Sequence, residues 1–278
     1  MKLSIALFRL GRLVIHLNSG MMLAVIYPYL SDSLKHRILK TWSRQLLAIL
    51  NITIRTDGPK LPRNRGCLIV ANHVSWLDMF VLNAIHPVRF IAKSEVSGWP
   101  IVGWLSRRSG TLFISRSLRQ DANAVSLRVG TLLKRGSSIG LFPEGTTTDG
   151  RSVRPFHSAL FQPAVDAGIS VCPIALRYED EGGAKNPSAE FIGDTTLVQS
   201  IWRILFCPRL VARTILTPEL PASGIDRRTL SRTAQDVIAT ELKQLNHDSP
   251  LDEPVSATEL EEMNDSHQSA KTLPQAAT

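Results

Sequence analysis

The sequence predicts an α/β fold with a mainly parallel β-sheet flanked by helices, and two observations support this. First, seven short apolar runs have the length and composition of strands. They occupy residues 52–55, 67–71, 88–92, 111–114, 138–142, 170–176 and 210–216. Second, stretches of helical character lie between these runs. Strands that alternate with helices along the chain are typical of layered α/β folds with a mainly parallel sheet.

Two helices are indicated most clearly in the second half of the chain. Residues 121–134 have a helical pattern, and Gly136 lies just past its end, where glycine commonly stops a helix. Residues 229–245 predict a final helix. Beyond it, residues 246–278 are rich in Ser, Asp, Glu, Pro, Gln and Ala and show no periodicity. We therefore expect an acidic disordered tail there.

The N-terminus predicts a helical segment that associates with a membrane. Residues 13–30 contain no Asp, Glu, Lys or Arg, and their one histidine, His16, is counted as neutral. A spanning helix needs about twenty largely apolar residues, so this stretch is borderline, and both a spanning and an interfacial placement remain open. No small-residue cleavage site follows it, which argues against a signal peptide.

A basic amphipathic helix is expected next, over residues 33–47, with Ser33 as its N-cap. Its apolar stripe either packs on the core or contacts lipid. The expected organisation is a membrane-association segment over residues 1–48, a central α/β domain over residues 49–245 and the acidic tail over residues 246–278.

The charge distribution limits the classes of partner. The chain carries a net +8, but the tail has seven acidic residues and one basic residue, so residues 1–245 carry +14. A basic body suits an anionic membrane surface or a phosphorylated substrate. The basic residues are scattered and no nucleic-acid-binding motif is present, so we do not expect nucleic acid as a partner.

Motif content excludes several enzyme classes. The sequence has no glycine-rich phosphate loop, dinucleotide fingerprint or Gly-x-Ser-x-Gly elbow, which argues against kinases, dehydrogenases and serine hydrolases. Cys67, Cys172 and Cys207 lack the spacing of metal ligands. We expect them to be small core residues in a reducing compartment, and we expect no metal site and no bound cofactor.

The strongest functional signal lies directly after the run at residues 67–71. His73 and Asp78 stand five residues apart, where a strand gives way to a helix. A neutral imidazole can take a proton from a hydroxyl, and a carboxylate on its other nitrogen stabilises the imidazolium that forms. No serine or cysteine nucleophile motif accompanies them, so the chemistry indicated is activation of a substrate hydroxyl. By itself such a pair also occurs as an ordinary surface hydrogen bond.

Three further strand-like stretches add to this signal, and two of them end in polar residues. Residues 110–116 end in Arg116, residues 141–146 run into a Pro-Glu-Gly turn, and the strand at residues 171–176 contains Pro173. In open α/β sheets, ligands bind at the carboxyl ends of the strands. We therefore expect these groups to form one site with His73.

Together the four stretches resemble the glycerolipid acyltransferase family, whose best known members are the 1-acyl-sn-glycerol-3-phosphate acyltransferases. The family's four blocks are matched in order by Asn72, His73 and Asp78, by Phe113, Ile114 and Arg116, by residues 142–146, and by Val171 and Pro173. The resemblance covers roughly residues 65–180. It implies a mixed sheet flanked by helices, and transfer of a fatty acyl group from acyl-CoA or acyl-carrier protein to the sn-2 hydroxyl of 1-acyl-glycerol-3-phosphate, giving phosphatidic acid.

One departure from the family pattern leaves the acceptor open. Thr147 stands where the third block usually has the arginine associated with the acceptor's phosphate. Related bacterial enzymes that acylate lyso-ornithine lipid have similar sequences, and their acceptor has no phosphate. O-acylation of that or another lysolipid is therefore the alternative. A lipid-binding scaffold without turnover is a third possibility, against which the intact His73 and Asp78 argue.

The resemblance and the chemistry assign provisional roles. His73 is the expected general base, and Asp78 orients it. In the third block, Gly145 permits a tight turn whose backbone N–H groups, with Glu144 and Thr146, would contact substrate. Arg116 and Lys93 are the expected phosphate ligands. The expected setting is the cytoplasmic face of a bacterial inner membrane, integral or monotopic through the N-terminal segment.

Overall fold

Seven strands form one sheet in the computed structural model, which describes residues 2–62, 65–114 and 119–247. The strands are β1 Ile52–Asp57, β2 Leu68–Ala71, β3 Arg89–Lys93, β4 Leu112–Ile114, β5 Ile139–Leu141, β6 Val171–Glu179 and β7 Leu210–Leu216. Their spatial order is β1-β7-β6-β2-β5-β3-β4. All neighbouring pairs are parallel except β6 and β7. The prediction of a mixed, mainly parallel sheet is confirmed, and each predicted run corresponds to a strand.

The direction of the strands gathers the motif residues at one edge of the sheet. Strands β2 to β6 all run the same way, so their carboxyl ends lie together. In the register, Val70 of β2 lies opposite Leu141 of β5 on one side and Pro173 of β6 on the other. The segments that follow β2 and β5 are therefore direct neighbours.

Eight helices accompany the sheet within the described part of the chain. They are α1 Lys2–Ile26, α2 Asp32–Ile49, α3 Asp78–Ile85, α4 Val102–Arg108, α5 Arg119–Lys134, α6 Gln162–Ala167, α7 Leu197–Phe206 and α8 Arg227–His247. The predicted helices at residues 121–134 and 229–245 are confirmed, and each is extended at one or both ends.

Two local predictions are wrong. Ser31 is the N-cap of α2, and Ser33 lies inside its first turn. The tail was expected to begin at residue 246, but Asn246 and His247 belong to α8 because the helix continues past its last apolar residue. The rest of the predicted tail, residues 248–278, lies outside the described residues.

Each face of the sheet is covered by its own apolar layer. The alternation of strand side chains sends Ile69 and Ala71 to one face and Leu68 and Val70 to the other. Helices α1, α2, α3 and α7 cover the first face, and α5, α6 and α8 cover the second. Fully burying a side chain of this size contributes roughly 1.5–3 kcal/mol. The two layers hold the sheet rigidly behind its carboxyl edge.

Helix α1 packs along the domain through one face only. The Arg9 guanidinium donates to the carbonyl oxygens of Leu205, Cys207 and Pro208 at the end of α7. His16 stacks on Trp42 of α2, with 4.4 Å between the ring centroids. The opposite face is apolar and exposed, with Phe8, Ile15 and Met22 among its most exposed side chains. By length and composition alone, residues 3–29 could cross a membrane.

Helix α2 connects the N-terminal segment to the site. Its apolar stripe packs on the core, since Leu46 and Leu47 are almost fully buried. Lys40 Nζ donates to the carbonyl of Ile85 at 2.8 Å, and Arg44 Nε donates to that of Ala84 at 3.0 Å. These cations satisfy the last carbonyls of α3 and suit the negative end of its dipole. Part of the basic face of α2 therefore stabilises the helix that begins at Asp78.

Candidate active site

His73 and Asp78 are in direct contact at the carboxyl edge of the sheet. His73 Nδ1 lies 2.8 Å from Asp78 Oδ2. The same oxygen accepts the backbone N–H groups of Val74 at 2.7 Å and Ser75 at 3.0 Å. The loop after β2 thus wraps around the first residue of α3, which brings the carboxylate back to the imidazole. The expected contact between the two side chains is present.

Asp78 is fully buried and receives a fourth hydrogen bond, from Tyr178 Oη to Oδ1 at 2.8 Å. A carboxylate without its proton can accept all four bonds. Burial, together with the neighbouring Asp78 charge, raises the pKa of Tyr178 well above its usual value, so the phenol stays a donor. With the carboxylate as acceptor, Nδ1 of His73 carries the proton and Nε2 holds the free lone pair.

Sequence reasoning missed Tyr178, although a signal existed. It lies in β6, on the same face as Leu176, which belongs to a buried run. A tyrosine in a fully buried strand needs a partner for its hydroxyl. The position of β6 beside β2 in the sheet supplies that partner, Asp78.

The His73 ring lies against Phe142, the first residue after β5. The ring centroids are 4.1 Å apart and the planes differ by 9°. Phe142 in turn stacks on Phe90 of β3, with centroids 5.7 Å apart. The His73 side chain is 20% exposed, and Nε2 has no hydrogen-bond partner among the residues that the structure describes. One side of the imidazole is fixed, while the basic nitrogen can meet a substrate.

Two further contacts hold the backbone around His73. The Asn72 amide donates to the carbonyl of Leu176 at 2.8 Å and accepts the Leu176 N–H at 2.7 Å. It thereby extends the pairing of β2 with β6 by one residue. The His73 carbonyl accepts the N–H of Thr148 at 2.8 Å. Both neighbouring strands therefore fix the position from which the imidazole projects.

Glu144 is buried and supports the same backbone. Its Oε1 accepts the His73 N–H at 2.7 Å, and its Oε2 accepts the Arg154 N–H at 2.9 Å. Burial raises the pKa of this carboxyl, and the hydrogen bonds from the Arg154 and His73 N–H groups lower it in part. A direct contact with substrate stays a prediction. Through its hydrogen bond to the His73 N–H, Glu144 connects the first and third sequence blocks.

The turn after Glu144 offers backbone donors. Gly145 adopts φ 69°, and its N–H already donates to the Phe142 carbonyl at 3.1 Å. The N–H groups of Thr146 and Thr147 have no acceptor within the described ranges, and Thr146 is exposed. These two amides, rather than that of Gly145, can bind an anion.

Thr147 stands where the third block of the family usually has an arginine, and its side chain makes a contact within the protein. Its hydroxyl donates to the carbonyl of Phe191. The Phe191 N–H donates to the Val74 carbonyl at 3.0 Å. The segment around Phe191 is thus tied to both the first and the third block.

Lys93 and Arg116 are the two predicted phosphate ligands. Lys93 is exposed at the carboxyl end of β3. The register aligns Phe90 with Gly140 and Gly140 with Ile69, which places Lys93 level with Asn72. Two strand spacings separate them, or about 10 Å. Arg116 lies outside the described residues, so its role and that of Lys93 stay predictions.

The three cysteines lie in the protein interior. Cys67, Cys172 and Cys207 are free and buried, as predicted. In residues 2–62, 65–114 and 119–247, no group of three or more His, Cys, Asp or Glu side chains could hold a metal ion.

Comparison with known proteins identifies the family of the chain. The sequence profile of the family described as "Acyltransferase" matches residues 53–177. A lyso-ornithine lipid O-acyltransferase from Pseudomonas aeruginosa is 40% identical over 74% of this chain and 78% of its own length. A 1-acyl-sn-glycerol-3-phosphate acyltransferase from Neisseria meningitidis serogroup B is 38% identical over 64% of this chain and 70% of its own length.

A solved structure has the same fold. The crystal structure of the 1-acyl-sn-glycerophosphate (LPA) acyltransferase PlsC from Thermotoga maritima superposes with a TM-score of 0.59, at 19% identity, over 85% of this chain and 97% of that one. Since the sequence matches extend over most of their relatives' lengths at well over 30% identity, this chain belongs to the acyltransferase family and is an acyltransferase.

Proposed function

We propose that the chain transfers a fatty acyl group from a thioester, acyl-CoA or acyl-carrier protein, to the sn-2 hydroxyl of 1-acyl-glycerol-3-phosphate, giving phosphatidic acid. The observation that carries the proposal is the 2.8 Å contact between His73 Nδ1 and Asp78 Oδ2, with Nε2 left free. The Neisseria relative bears the name of this activity.

His73 is the general base of the reaction. Its Nε2 takes the proton of the acceptor hydroxyl as that oxygen attacks the thioester carbonyl carbon. The C–O bond forms, the C–S bond breaks, and the departing sulfur receives the proton from the imidazolium. The buried Asp78 carboxylate stabilises the imidazolium in between. Because a thioester is already activated, positioning and proton transfer suffice without a covalent enzyme intermediate.

The third block supplies electrostatic stabilisation. Negative charge develops on the carbonyl oxygen during attack, and backbone N–H groups aimed at it lower the barrier. The free N–H groups of Thr146 and Thr147 are the donors nearest in sequence to Glu144, which itself holds His73. Lys93 and Arg116 bind the acceptor's phosphate.

A second candidate acceptor is lyso-ornithine lipid. Thr147 replaces the arginine associated with phosphate, and its hydroxyl is bound to the Phe191 carbonyl. The Pseudomonas relative, 40% identical, is named for this acceptor. The same base and thioester chemistry serve both acceptors, so only the head-group contacts differ.

The enzyme works at a membrane, on the cytoplasmic face of a bacterial inner membrane. The exposed apolar face of α1 supports this, because its inner face is already used in packing against α2 and α7. A helix bound to the domain along its length fits an interfacial placement better than a free span.

The test offers lysophosphatidic acid and lyso-ornithine lipid side by side, with an acyl-thioester donor, to membranes containing the protein. The expected result is transfer to a lysolipid that disappears in His73→Ala, while thermal melting and liposome binding are retained. Near-normal turnover by purified His73→Ala would overturn the mechanism. Liposome binding without transfer by the unaltered chain would instead favour a lipid-binding scaffold.

A further inference from the structure

A basic cavity of about 520 Å³ lies at the junction of the N-terminal helices with β3 and α4. Four permanent cations line it: Lys35 of α2, Arg89 of β3, and Arg107 and Arg108 of α4. His36 adds an imidazole, and Asp32 is the only carboxylate among the lining residues that the structure describes. So many cations around one cavity indicate an anionic ligand.

The cavity is separate from the acyl-transfer site. Arg89 begins β3 and Gly110 precedes β4, so both lie at the amino edge of these parallel strands. His73 follows the carboxyl end of β2, at the opposite edge. A five-residue strand such as β3 is roughly 16 Å long, which separates the two sites.

The positive charge in the cavity is only partly compensated. Asp32, whose side chain is 73% exposed, lies 3.6 Å from Lys35 and 3.8 Å from Arg89. Arg107 donates to the Ser97 carbonyl, and Arg108 lies over the Trp104 ring, 5.6 Å from its centroid. Neither arginine has a carboxylate partner among the residues described. Guanidinium groups bind phosphate oxygens in a bidentate manner, so this pair is suited to a phosphate.

An apolar groove adjoins the cavity. It has a volume of about 450 Å³ and lies between α1 and α4, lined by Met21, Met22, Val25, Ile101 and Trp104. Trp104 lines both spaces. The groove opens on the exposed face of α1, since Met22 is 77% and Ile101 is 58% exposed. The cationic cavity and the apolar groove therefore meet at the Trp104 ring.

We propose that this composite site holds one anionic glycerophospholipid as a bound lipid rather than a substrate. Its phosphate lies against Arg107 and Arg108 with Lys35 nearby, and one acyl chain lies along the groove of Met21, Met22 and Ile101. A free phosphate would not occupy the apolar groove, and a neutral lipid would leave the cations of the cavity unpaired. Neither the cavity nor the groove alone therefore accounts for the composite site. The site needs the membrane setting but not the acyl-transfer reaction.

The experiment is native mass spectrometry of the full-length chain in detergent, titrated with phosphatidylglycerol or phosphatidylcholine of the same acyl chains. The variant is Lys35→Gln with Arg108→Gln, which leaves the Arg107–Ser97 hydrogen bond in place. The matched control is Arg12→Gln with Arg37→Gln, two exposed cations of α1 and α2 that do not line the cavity. Melting curves verify that both double variants are folded.

We expect the unaltered chain to bind one phosphatidylglycerol molecule tightly and to bind phosphatidylcholine with at least tenfold lower affinity. The affinity for phosphatidylglycerol should fall at least tenfold in the cavity variant and not in the control variant. Equal losses in both double variants would reduce the site to general surface charge and overturn the proposal. Inorganic phosphate is the competitor that separates a lipid site from a phosphate site. If it displaced the lipid at comparable concentrations, the groove would contribute nothing and the lipid assignment would fall.

Discussion

Tyr178 Oη donates a 2.8 Å hydrogen bond to Asp78 Oδ1, the carboxylate oxygen that His73 does not contact. The carboxylate is therefore fixed from both sides: from the loop after β2 through Oδ2, and from β6 through Oδ1. Since a rotation of the carboxylate would break bonds on both oxygens, Tyr178 is a positioning residue for the base.

The first prediction is that Tyr178→Phe lowers both activity and stability. It leaves one oxygen of a fully buried carboxylate without its donor, and a hydrogen bond to a charged group contributes about 1.5–3 kcal/mol. We expect a comparable loss in the free energy of unfolding, measured by urea titration. We also expect the acidic limb of the pH–rate profile to move to higher pH, because the less satisfied carboxylate stabilises the imidazolium more.

Tyr29→Phe is the matched control, since Tyr29 is 84% exposed. It should change neither stability nor the pH–rate profile. A Tyr178→Phe protein that loses stability but keeps the profile of the unaltered enzyme would show that the hydroxyl serves the fold alone.

The second prediction concerns Asp78→Asn. The amide oxygen can still accept from His73, Val74 and Ser75, and the Tyr178 hydroxyl can turn to accept from the amide nitrogen. The fold should survive, but the negative charge that stabilises the imidazolium is lost. We expect kcat to fall on the order of 10²–10⁴-fold with a small change in KM. Asp166→Asn on α6 is the control, and a loss confined to KM would contradict the role.

The sequence was sufficient for the parts of this site that are local in the chain. His73 and Asp78 are five residues apart, and the short loop between β2 and α3 brings them together. Tyr178 is one hundred residues from Asp78. Its contact depends on β6 lying beside β2 and continuing past it, which is a matter of strand order. Strand order arises from the burial of both sheet faces and cannot be derived from alternation alone.

Helix starts were predicted less well for a related reason. At α2, both Ser31 and Ser33 are acceptable N-caps by type, and neither the Ser31 side chain nor a capping box marks the choice. The residue types at this helix start therefore do not identify its N-cap. The start of α7, by contrast, is marked locally in the sequence, because Thr196 and Gln199 form a capping box.

The third prediction tests the stacked rings behind His73. A Cβ at Gly140 would lie 2.9 Å from Phe90 Cε1 and 2.7 Å from Val88 Cγ2. Gly140→Ala must therefore displace Phe90, which stacks on Phe142, which stacks on His73. We expect activity to fall about tenfold or more and stability to fall by about 1–3 kcal/mol, as for other overpacked cores.

Gly130→Ala in α5 is the control for that substitution, because its Cβ would meet only ordinary contact, 3.7 Å from the Pro163 carbonyl oxygen. It should leave activity unchanged and stability equal or slightly higher. If Gly140→Ala kept full activity despite reduced stability, the stacking of Phe142 on the imidazole would not matter for catalysis.

The fourth prediction uses the buried carboxyl of Glu144. In Glu144→Gln, the amide NH₂ faces either the His73 or the Arg154 N–H, so one donor loses its acceptor. We expect a loss of about 1–3 kcal/mol in the free energy of unfolding at low pH. Activity should fall as well, because the His73 backbone loses support. Glu181→Gln, at a side chain that is 63% exposed, is the control.

The pH dependence of this effect has a defined sign. Burial raises the pKa of Glu144 above its ordinary value of 4.5. A raised carboxyl pKa contributes stability below the unfolded value that is lost as pH rises through the folded value. The unaltered chain loses this contribution and the glutamine variant does not, so the destabilisation by Glu144→Gln should shrink as pH rises above about 4.5. Urea midpoints that differ by the same amount at every pH would contradict the assignment.

The fifth prediction asks whether Thr147 sets the choice of acceptor. Thr147→Arg restores the side chain that the acyltransferase third block usually carries, at the cost of the hydrogen bond to the Phe191 carbonyl. A charge-assisted contact with phosphate contributes about 1.5–3 kcal/mol. We therefore expect kcat/KM for lysophosphatidic acid to rise at least tenfold relative to lyso-ornithine lipid. Thr147→Val, which removes the same hydroxyl without adding charge, separates the two effects. If the arginine and valine variants shifted the ratio equally, the lost hydrogen bond to Phe191, rather than a missing cation, would determine the choice of lysolipid.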